Sequence, residues 1–305
     1  MKTARLTESA APGKDPGKDP GKDNAPLLEV RDLSVTYRTG RAASWRRPDT
    51  PVVDRVSFDI RPGETLGLVG ESGSGKSTIG RTILRLIDPV SGTITFDGRE
   101  VTAFGRSTPL SYRRDVQAVF QDPASSLNPR HIVRDAITGP LRRHGRGSRR
   151  EREEAAAEAF HMVGLNPALL TRYPLELSGG QRQRVAIARA IALRPRLVIC
   201  DEAVSALDVS TQSQIVNLLA DLQESTGVSF LFITHDLRLV RHISQRVAVL
   251  QHGRLVEFAD TEQLFRTTQQ PYTRRLLAAI PATDPEGREH RRARRAAHRK
   301  APGTT

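Results

Sequence analysis

The sequence predicts a parallel α/β fold organised around one phosphate-binding loop, and three observations support that expectation. The apolar run at residues 65–69 leads into Gly70-Glu71-Ser72-Gly73-Ser74-Gly75-Lys76-Ser77-Thr78, after which a helical pattern begins. Strand-sized buried runs alternate with helical patterns through much of the chain, as in a parallel sheet covered by helices. One of those runs, residues 197–200, ends in the acidic pair Asp201-Glu202.

The loop fits the pattern G-x-x-x-x-G-K-[ST], which has a physical basis. Small residues let successive backbone N–H groups turn inward around a polyphosphate, and the following helix points its positive end there. Lys76 is then placed for the β- and γ-phosphates, Ser77 for Mg²⁺, and Thr78 for the α-phosphate side. At the second strand end, Asp201 suits the metal's coordination shell, and Glu202 can accept a hydrogen bond from an attacking water as general base. The plainer alternatives are a flexible Gly/Ser turn and a pair of acids capping a turn. Alone, the loop says only that a nucleotide binds.

Taken in order, residues 1–25 carry the near-repeat Pro12-Gly13-Lys14-Asp15, Pro16-Gly17-Lys18-Asp19, Pro20-Gly21-Lys22-Asp23, which cannot bury a core and is expected to be a disordered tail. Residues 27–30 and 33–37 read as two short strands, and residues 52–60 alternate as a half-buried strand. Between them lies a polar, Arg-rich insertion, residues 40–51, with Trp45. Past the loop, Ile79, Ile83, Leu84 and Ile87 recur at helical spacing until Asp88-Pro89. Residues 92–96 and 116–120 read as strands, and residues 135–193 as an inserted all-helical segment, with helices at 151–163 and 181–193. Asp208 caps a helix at 209–224 that Gly227 ends, and the next strand, 228–234, leads to His235. A hairpin follows at 247–250 and 254–258, then a short helix with an Asp260–Gln263 capping box and another at 273–280. The domain plan is therefore a core over 26–282, with a C-terminal extension from about 245, and a basic tail over 283–305.

Composition narrows the function classes. With 305 residues, 37% hydrophobic and 27% charged, the chain can bury one core. It lacks an apolar run near the ~18 residues of a membrane span and an N-terminal h-region, which sets the expectation of a cytosolic protein. Cys200, the only cysteine, excludes an internal disulfide and any all-cysteine metal or iron–sulfur site built from this chain alone. The net charge of +13 concentrates at residues 142–152 and 288–300 without interleaved aromatics, which favours solvated or membrane-facing charge over specific nucleic-acid reading.

Leu177-Ser178-Gly179-Gly180-Gln181 stands directly before a helix and makes a second small-residue anion site. Two such loops either bind two anions or complete the sites of different copies. In this order the motifs resemble the ATP-binding subunit of an ABC transporter, over residues 27–280, with Leu177 to Gln181 as the most specific mark. The resemblance implies an ABC-type nucleotide-binding domain: a P-loop NTPase core with an antiparallel β-subdomain and an inserted all-helical subdomain. It further implies Gln121 as the Q-loop glutamine and a metal-shell residue, Ser205-Ala206-Leu207-Asp208 as the D-loop, His235 as the switch histidine and Tyr37 as the A-loop aromatic. ATP and Mg²⁺ are the implied cofactors. In the family two such subunits pack head to tail, so that Ser178 and Gly180 meet the γ-phosphate held by the partner's loop.

A finer resemblance is to the oligopeptide/dipeptide importer class, carried by Gln121-Asp122-Pro123 with Ser125-Ser126-Leu127-Asn128-Pro129-Arg130, by residues 201–210, by Gln270-Pro271-Tyr272-Thr273 and by the Trp45 insertion. It implies a second ATPase subunit, paralogue or identical, two transmembrane permease subunits, an extracytoplasmic binding protein, no specific nucleic acid, and a place on the cytoplasmic membrane face. Ala203 departs from the proline of the wider family, and Cys200 alone cannot hold the cysteine-ligated cluster of some relatives. The class includes nickel importers. Soluble ABC ATPases that act on nucleic acid usually carry a second cassette or a long coiled coil, and neither is present. A binding-only cassette is disfavoured by Lys76, Glu202 and His235.

Overall fold

The computed structural model describes residues 25–37, 51–105, 107–122 and 126–280. The expected disordered tail, the Trp45 insertion, residues 123–125 of the segment after Gln121 and the basic tail lie outside these residues, save Ala25 and Pro51 at their edges.

An antiparallel sheet is made by β1 (Leu28–Val35), β2 (Val53–Ile60), β4 (Ser91–Phe96) and β5 (Arg99–Glu100), in the order β2-β1-β4-β5. The two strands expected at 27–30 and 33–37 are one strand with a bulge: its register shifts between Val30 and Leu33, where Asp32 takes a φ of 48°. The extra residue re-phases the alternation, so Leu28, Val30, Leu33 and Val35 are all buried. A six-stranded sheet follows the order β10-β9-β3-β8-β7-β6, from β3 (Thr65–Val69), β6 (Val116–Phe120), β7 (Leu197–Asp201), β8 (Ser229–Thr234), β9 (Arg246–Gln251) and β10 (Arg254–Asp260). Its pairs are parallel except β9 with β10, a hairpin whose turn uses His252 and Gly253 at positive φ.

Side-chain alternation gives this sheet two different faces. Leu68, Ile199, Leu231 and Ile233 join the antiparallel sheet in one core, and Val69, Val198, Cys200, Phe230 and Phe232 join the helices in the other. Cys200 is core, as its setting in an apolar run suggests, and burial pushes its thiol up to about 12.

Helix α1 (Lys76–Ile83) stops short of the expected Ile87. Arg85 turns to a φ of 59°, and its guanidinium donates to Asp88 Oδ1 at 2.6 Å and to the Phe104 carbonyl at 2.9 Å. Helix α2 (Leu110–Asp115), not read from the sequence, docks through Tyr112, whose hydroxyl donates to the Ile83 carbonyl at 2.6 Å. The helical insertion comprises α3 (Val133–Arg143), α4 (Arg149–Met162) and α5 (Gly179–Ile191), with 3₁₀ turns at Pro167–Thr171 and Pro174–Glu176. Next come α6 (Val209–Thr226), capped by Asp208 and ended by Gly227 at a φ of 69°, and the unexpected α7 (Leu237–Ile243), capped by Asp236. In α8 (Thr261–Thr267) the expected capping box does not form: Asp260 makes no side-chain cap bond, and Thr261 Oγ1 donates instead to the Ser244 carbonyl at 2.6 Å. The chain then enters α9 (Pro271–Ala278).

One buried ion network joins the sheets. Arg246 on β9 donates to Glu64 Oε1 at 2.5 Å and to Asp59 Oδ2 at 2.7 Å, with its guanidinium 4.9 Å from the Phe258 ring centroid. Glu64 is only 6% exposed, so removing the cation strands a carboxylate away from water. Arg246→Met is expected to destabilise the chain by about 3–5 kcal/mol, measured by urea or thermal unfolding, and Glu64→Gln with Arg246→Met to recover part of that loss.

Candidate nucleotide site

Strand register gathers the site. Val69 pairs with Thr234, Asp201 with Ile233 and Phe120 with Asp201, so the next residues, Gly70, His235, Glu202 and Gln121, all emerge at the carboxyl edge of the parallel sheet. Close backbone approach explains two glycines of the loop. A Cβ at Gly70 would lie 2.1 Å from the Leu250 carbonyl oxygen, and one at Gly75 2.7 Å from the Val52 carbonyl oxygen, with φ of 153° and 104°. Glu71, Ser72 and Gly73 are exposed, whereas Ser74 is buried.

Lys76 is 4% exposed, and its Nζ donates to the Gly70 carbonyl at 2.8 Å and the Glu71 carbonyl at 2.9 Å. Burial lowers its pKa, opposed by the nearby Glu202 and Asp201 carboxylates. Ser77 Oγ donates to Asp201 Oδ1 at 2.7 Å. Burial raises the Asp201 pKa, against the lowering effect of that hydrogen bond. This hydroxyl and carboxylate are hard oxygen donors of the kind Mg²⁺ takes alongside phosphates and water. Among the described residues there is no group of three or more His, Cys, Asp or Glu side chains that could hold a metal ion. Gln121, one residue beyond β6, is exposed on the same edge.

Glu202 takes a φ of 49° and donates its N–H to the Ile233 carbonyl at 3.0 Å. Its Oε1 lies 3.5 Å from His235 Nδ1. Tyr37 is 41% exposed, and its hydroxyl pairs with Thr78 Oγ1 at 3.1 Å. The structure thus brings together Tyr37, the loop from Gly70 to Thr78, Gln121, Asp201, Glu202 and His235.

The second anion loop is not joined to them. Ser178 and Gln181 form a reciprocal capping box, with Gln181 N–H to Ser178 Oγ at 3.2 Å and Ser178 N–H to Gln181 Oε1 at 2.9 Å. The hydrogen bonds found for Ser178 to Gln181 are local to α5 and its entry, and none reaches residues 70–78 among the described residues. Gly180 instead abuts α6, where an added Cβ would stand 2.8 Å from Thr211 Cγ2. Asp208 caps that same helix, accepting from Ser210 Oγ at 2.6 Å, Thr211 N–H at 3.0 Å and Thr211 Oγ1 at 2.7 Å. Those bonds lower its pKa. Sequence reasoning missed two outer supports of the loop. Gly253 N–H donates to the Ser74 carbonyl at 3.0 Å, and Glu71 N–H to Tyr272 Oη at 3.1 Å. Only Tyr272 left a trace, as part of a class motif with no site role attached.

A strand–loop–helix phosphate cradle on a parallel sheet, with an acidic pair on a nearby strand, defines a nucleotide-binding ATPase fold. The ABC transporter family model matches residues 53–205, and the model of the oligopeptide/dipeptide transporter C-terminal region matches 256–303. A putative peptide import ATP-binding protein of Brucella ovis is 50% identical over 266 residues, covering 87% of this chain and 82% of that protein. The glutathione import ATP-binding protein GsiA of Salmonella paratyphi A is 49% identical over 269 residues, 88% of this chain but 43% of its own length. Among solved structures, the dimeric post-hydrolysis ATP-binding cassette MJ0796 bound to ADP and Pi aligns with a TM-score of 0.68 at 31% identity, covering 77% of this chain and 99% of that one. CbiO1 of Clostridium perfringens, part of the ABC transporter complex cbiONQ, aligns with a TM-score of 0.70 at 26% identity, covering 84% and 96%. The chain belongs to the ATP-binding subunits of the ABC transporter family.

The raised Asp201 pKa has a signed consequence for stability. Between the ordinary carboxylate pKa and the raised native one, the folded chain binds more protons than the unfolded chain, so this group's contribution falls as pH rises and its full penalty is present above the native pKa. In EDTA, Asp201→Asn should therefore melt at or above the wild-type temperature at pH 7–8, with the gain shrinking as pH falls into the carboxylate range. Thermal melts across that pH series check it.

Proposed function

We propose that this chain is the ATP-hydrolysing subunit of a peptide importer and that each of its nucleotide sites is completed by a second ATPase subunit. The observation that carries the reading is the separation within one chain: the phosphate loop has Lys76, Ser77, Asp201, Glu202 and His235 around it, while among the described residues the hydrogen bonds of Ser178 and Gln181 are local to their own helix entry. A head-to-tail partner supplies the missing half, in keeping with the dimeric solved relative.

In this reading the polyphosphate takes the inward N–H groups from Gly70 to Thr78, and Lys76 leaves its two loop carbonyls for the β- and γ-phosphates. Tyr37 stacks on the base beside Thr78. Ser77 and Asp201 would hold Mg²⁺, and Gln121, at the same sheet edge, would join that shell and sense the membrane partner. Held there, Mg²⁺ would supply neutralisation of phosphate charge. Glu202 orients the water and receives its proton at a carboxylate oxygen, while His235, 3.5 Å away, faces the γ-phosphate. Gly179, Gly180 and Gln181 open α5 with Ser178 as its cap, so their helix dipole is offered to the partner's nucleotide. Asp208, beside Gly180 through Thr211, transmits the closure of one site to the other.

The names carried by the relatives favour peptides, glutathione included, over nickel. No helix among the described residues is long and apolar enough to cross a membrane. By its resemblance to the importer class, the chain works with two permease subunits and an extracytoplasmic binding protein, peripheral at the cytoplasmic face, with the surface around 123–140 receiving the permease; residues 123–125 of that surface lie outside the described residues.

Co-purification from membranes, followed by ATPase assays with candidate binding proteins and peptides, tests the whole reading: peptide-stimulated turnover is expected, and stimulation by nickel instead would transfer it to a metal importer. Glu202→Gln should bind ATP and dimerise while turnover drops by about 10²-fold or more, and near wild-type turnover would remove Glu202 as the base. Ser178 and Lys76 variants, each inactive alone, should regain one competent site per dimer when mixed. Full activity of either variant alone would end the shared-site model.

A further inference from the structure

The C-terminal region, whose family match assigns it no task, reaches the nucleotide loop through one hydroxyl. Tyr272, at the start of α9, accepts the Glu71 N–H at 3.1 Å across a sequence separation of 201 residues. That N–H belongs to the Gly70–Glu71 peptide, whose carbonyl end accepts from Lys76 Nζ at 2.8 Å. In a trans peptide the N–H and C=O point in opposite directions. Lys76 and Tyr272 therefore grip one peptide plane from its two sides, the lysine from within the loop and the tyrosine from outside.

This grip matters most when the lysine lets go. Lys76 must leave the Gly70 and Glu71 carbonyls to meet a polyphosphate, and the peptide then keeps only its outer partner. Glu71, Ser72 and Gly73 are exposed, and Gly73, at a φ of 78°, has no heavy atom within 4 Å of a hypothetical Cβ, so little packing restrains this turn. The chemistry of the outer group also suits its place. A phenol accepts an N–H without bringing a negative charge toward the phosphates, and burial keeps the Tyr272 hydroxyl protonated by raising its pKa. The ring itself is buried, with the Arg275 guanidinium 5.9 Å from its centroid, and Pro271 in the first turn of α9 presets the helix entry.

We infer that Tyr272 is a positioning residue for the phosphate loop, and that the C-terminal region thereby tunes the affinity of the nucleotide site. The inference rests on the reading of residues 70–78 as the ATP site. Losing one neutral hydrogen bond from the bound loop corresponds to about a two- to tenfold weaker affinity.

The test uses the full chain and the fluorescent nucleotide mant-ATP with Mg²⁺. Tyr272→Phe keeps the ring and removes the acceptor; Arg275→Ala removes a neighbour of the ring and keeps the acceptor. Tyr272→Phe is expected to raise the mant-ATP Kd about two- to tenfold, to speed amide hydrogen exchange in the peptide covering Glu71, and to leave the melting temperature within a few degrees. Arg275→Ala should leave Kd and that exchange unchanged. Wild-type Kd and exchange in Tyr272→Phe would overturn the inference, as would equal weakening in both variants, which marks a packing role. A wild-type chain that bound no mant-ATP would overturn the ATP-site reading itself, and this inference with it.

Discussion

A buried ammonium constrains the rest of the site. Lys76 gives up most of its hydration, and the protein replaces that water with two loop carbonyls and the field of two carboxylates. Each replacement imposes geometry. The carbonyls of Gly70 and Glu71 must turn inward, which requires the left-handed and extended backbone that glycine supplies, and the carboxylates must come from a neighbouring strand end. Because β3 is separated from β7 only by β8, the sheet order delivers Asp201 and Glu202 at the same edge without a long side-chain reach. The arrangement is provisional in the chemical sense. Carbonyls solvate an ammonium less well than a polyphosphate does, so on the proposed reading the loop would release its lysine to a more anionic partner.

The same logic explains why Asp201 is kept in a setting that disfavours its charge. A buried carboxylate next to Glu202 is poorly stabilised by the protein alone, with Ser77 Oγ as its hydrogen-bond donor. On the proposed reading, a divalent cation held by Ser77 and Asp201 would offset that cost, so nucleotide binding would be coupled to stability. Glu202, held at a positive φ by its N–H bond to the Ile233 carbonyl, is a second local strain at the site, and it aims the carboxylate toward His235.

Much of this was legible in the sequence because phosphate chemistry needs fixed spacings. Residues 70–78, the 197–202 strand end and the 177–181 helix entry are each contiguous, and each function depends on local backbone geometry that contiguous residues set. The elements that escaped depend on distant contacts. The bulge in β1 is visible only once Val56 and Val53 are set opposite Leu33 and Val35. The early end of α1 follows from Arg85 finding Asp88 and Phe104, and the missing Asp260 cap from Thr261 finding Ser244. Tyr272 and Gly253 support the loop from positions roughly two hundred residues away, and periodicity carries no information at that separation.

Those distant supports change what a single subunit can be said to contain. The inner surface of the phosphate loop comes from residues 70–78, and its far wall, on the proposed reading, from a second subunit's 177–181. Its outer surface is made by the C-terminal part of the same chain: the Leu250 carbonyl closes on Gly70, Gly253 bonds Ser74, and Tyr272 bonds Glu71. A loop held on its outer side by the C-terminal region and completed on its inner side by a partner is mechanically placed between the two. On the proposed reading, β9, the turn into β10 and α9 contact the same peptides that would face the polyphosphate. Nucleotide affinity and the position of the C-terminal region are therefore linked quantities: whatever stabilises one bound arrangement stabilises the other by the same free energy.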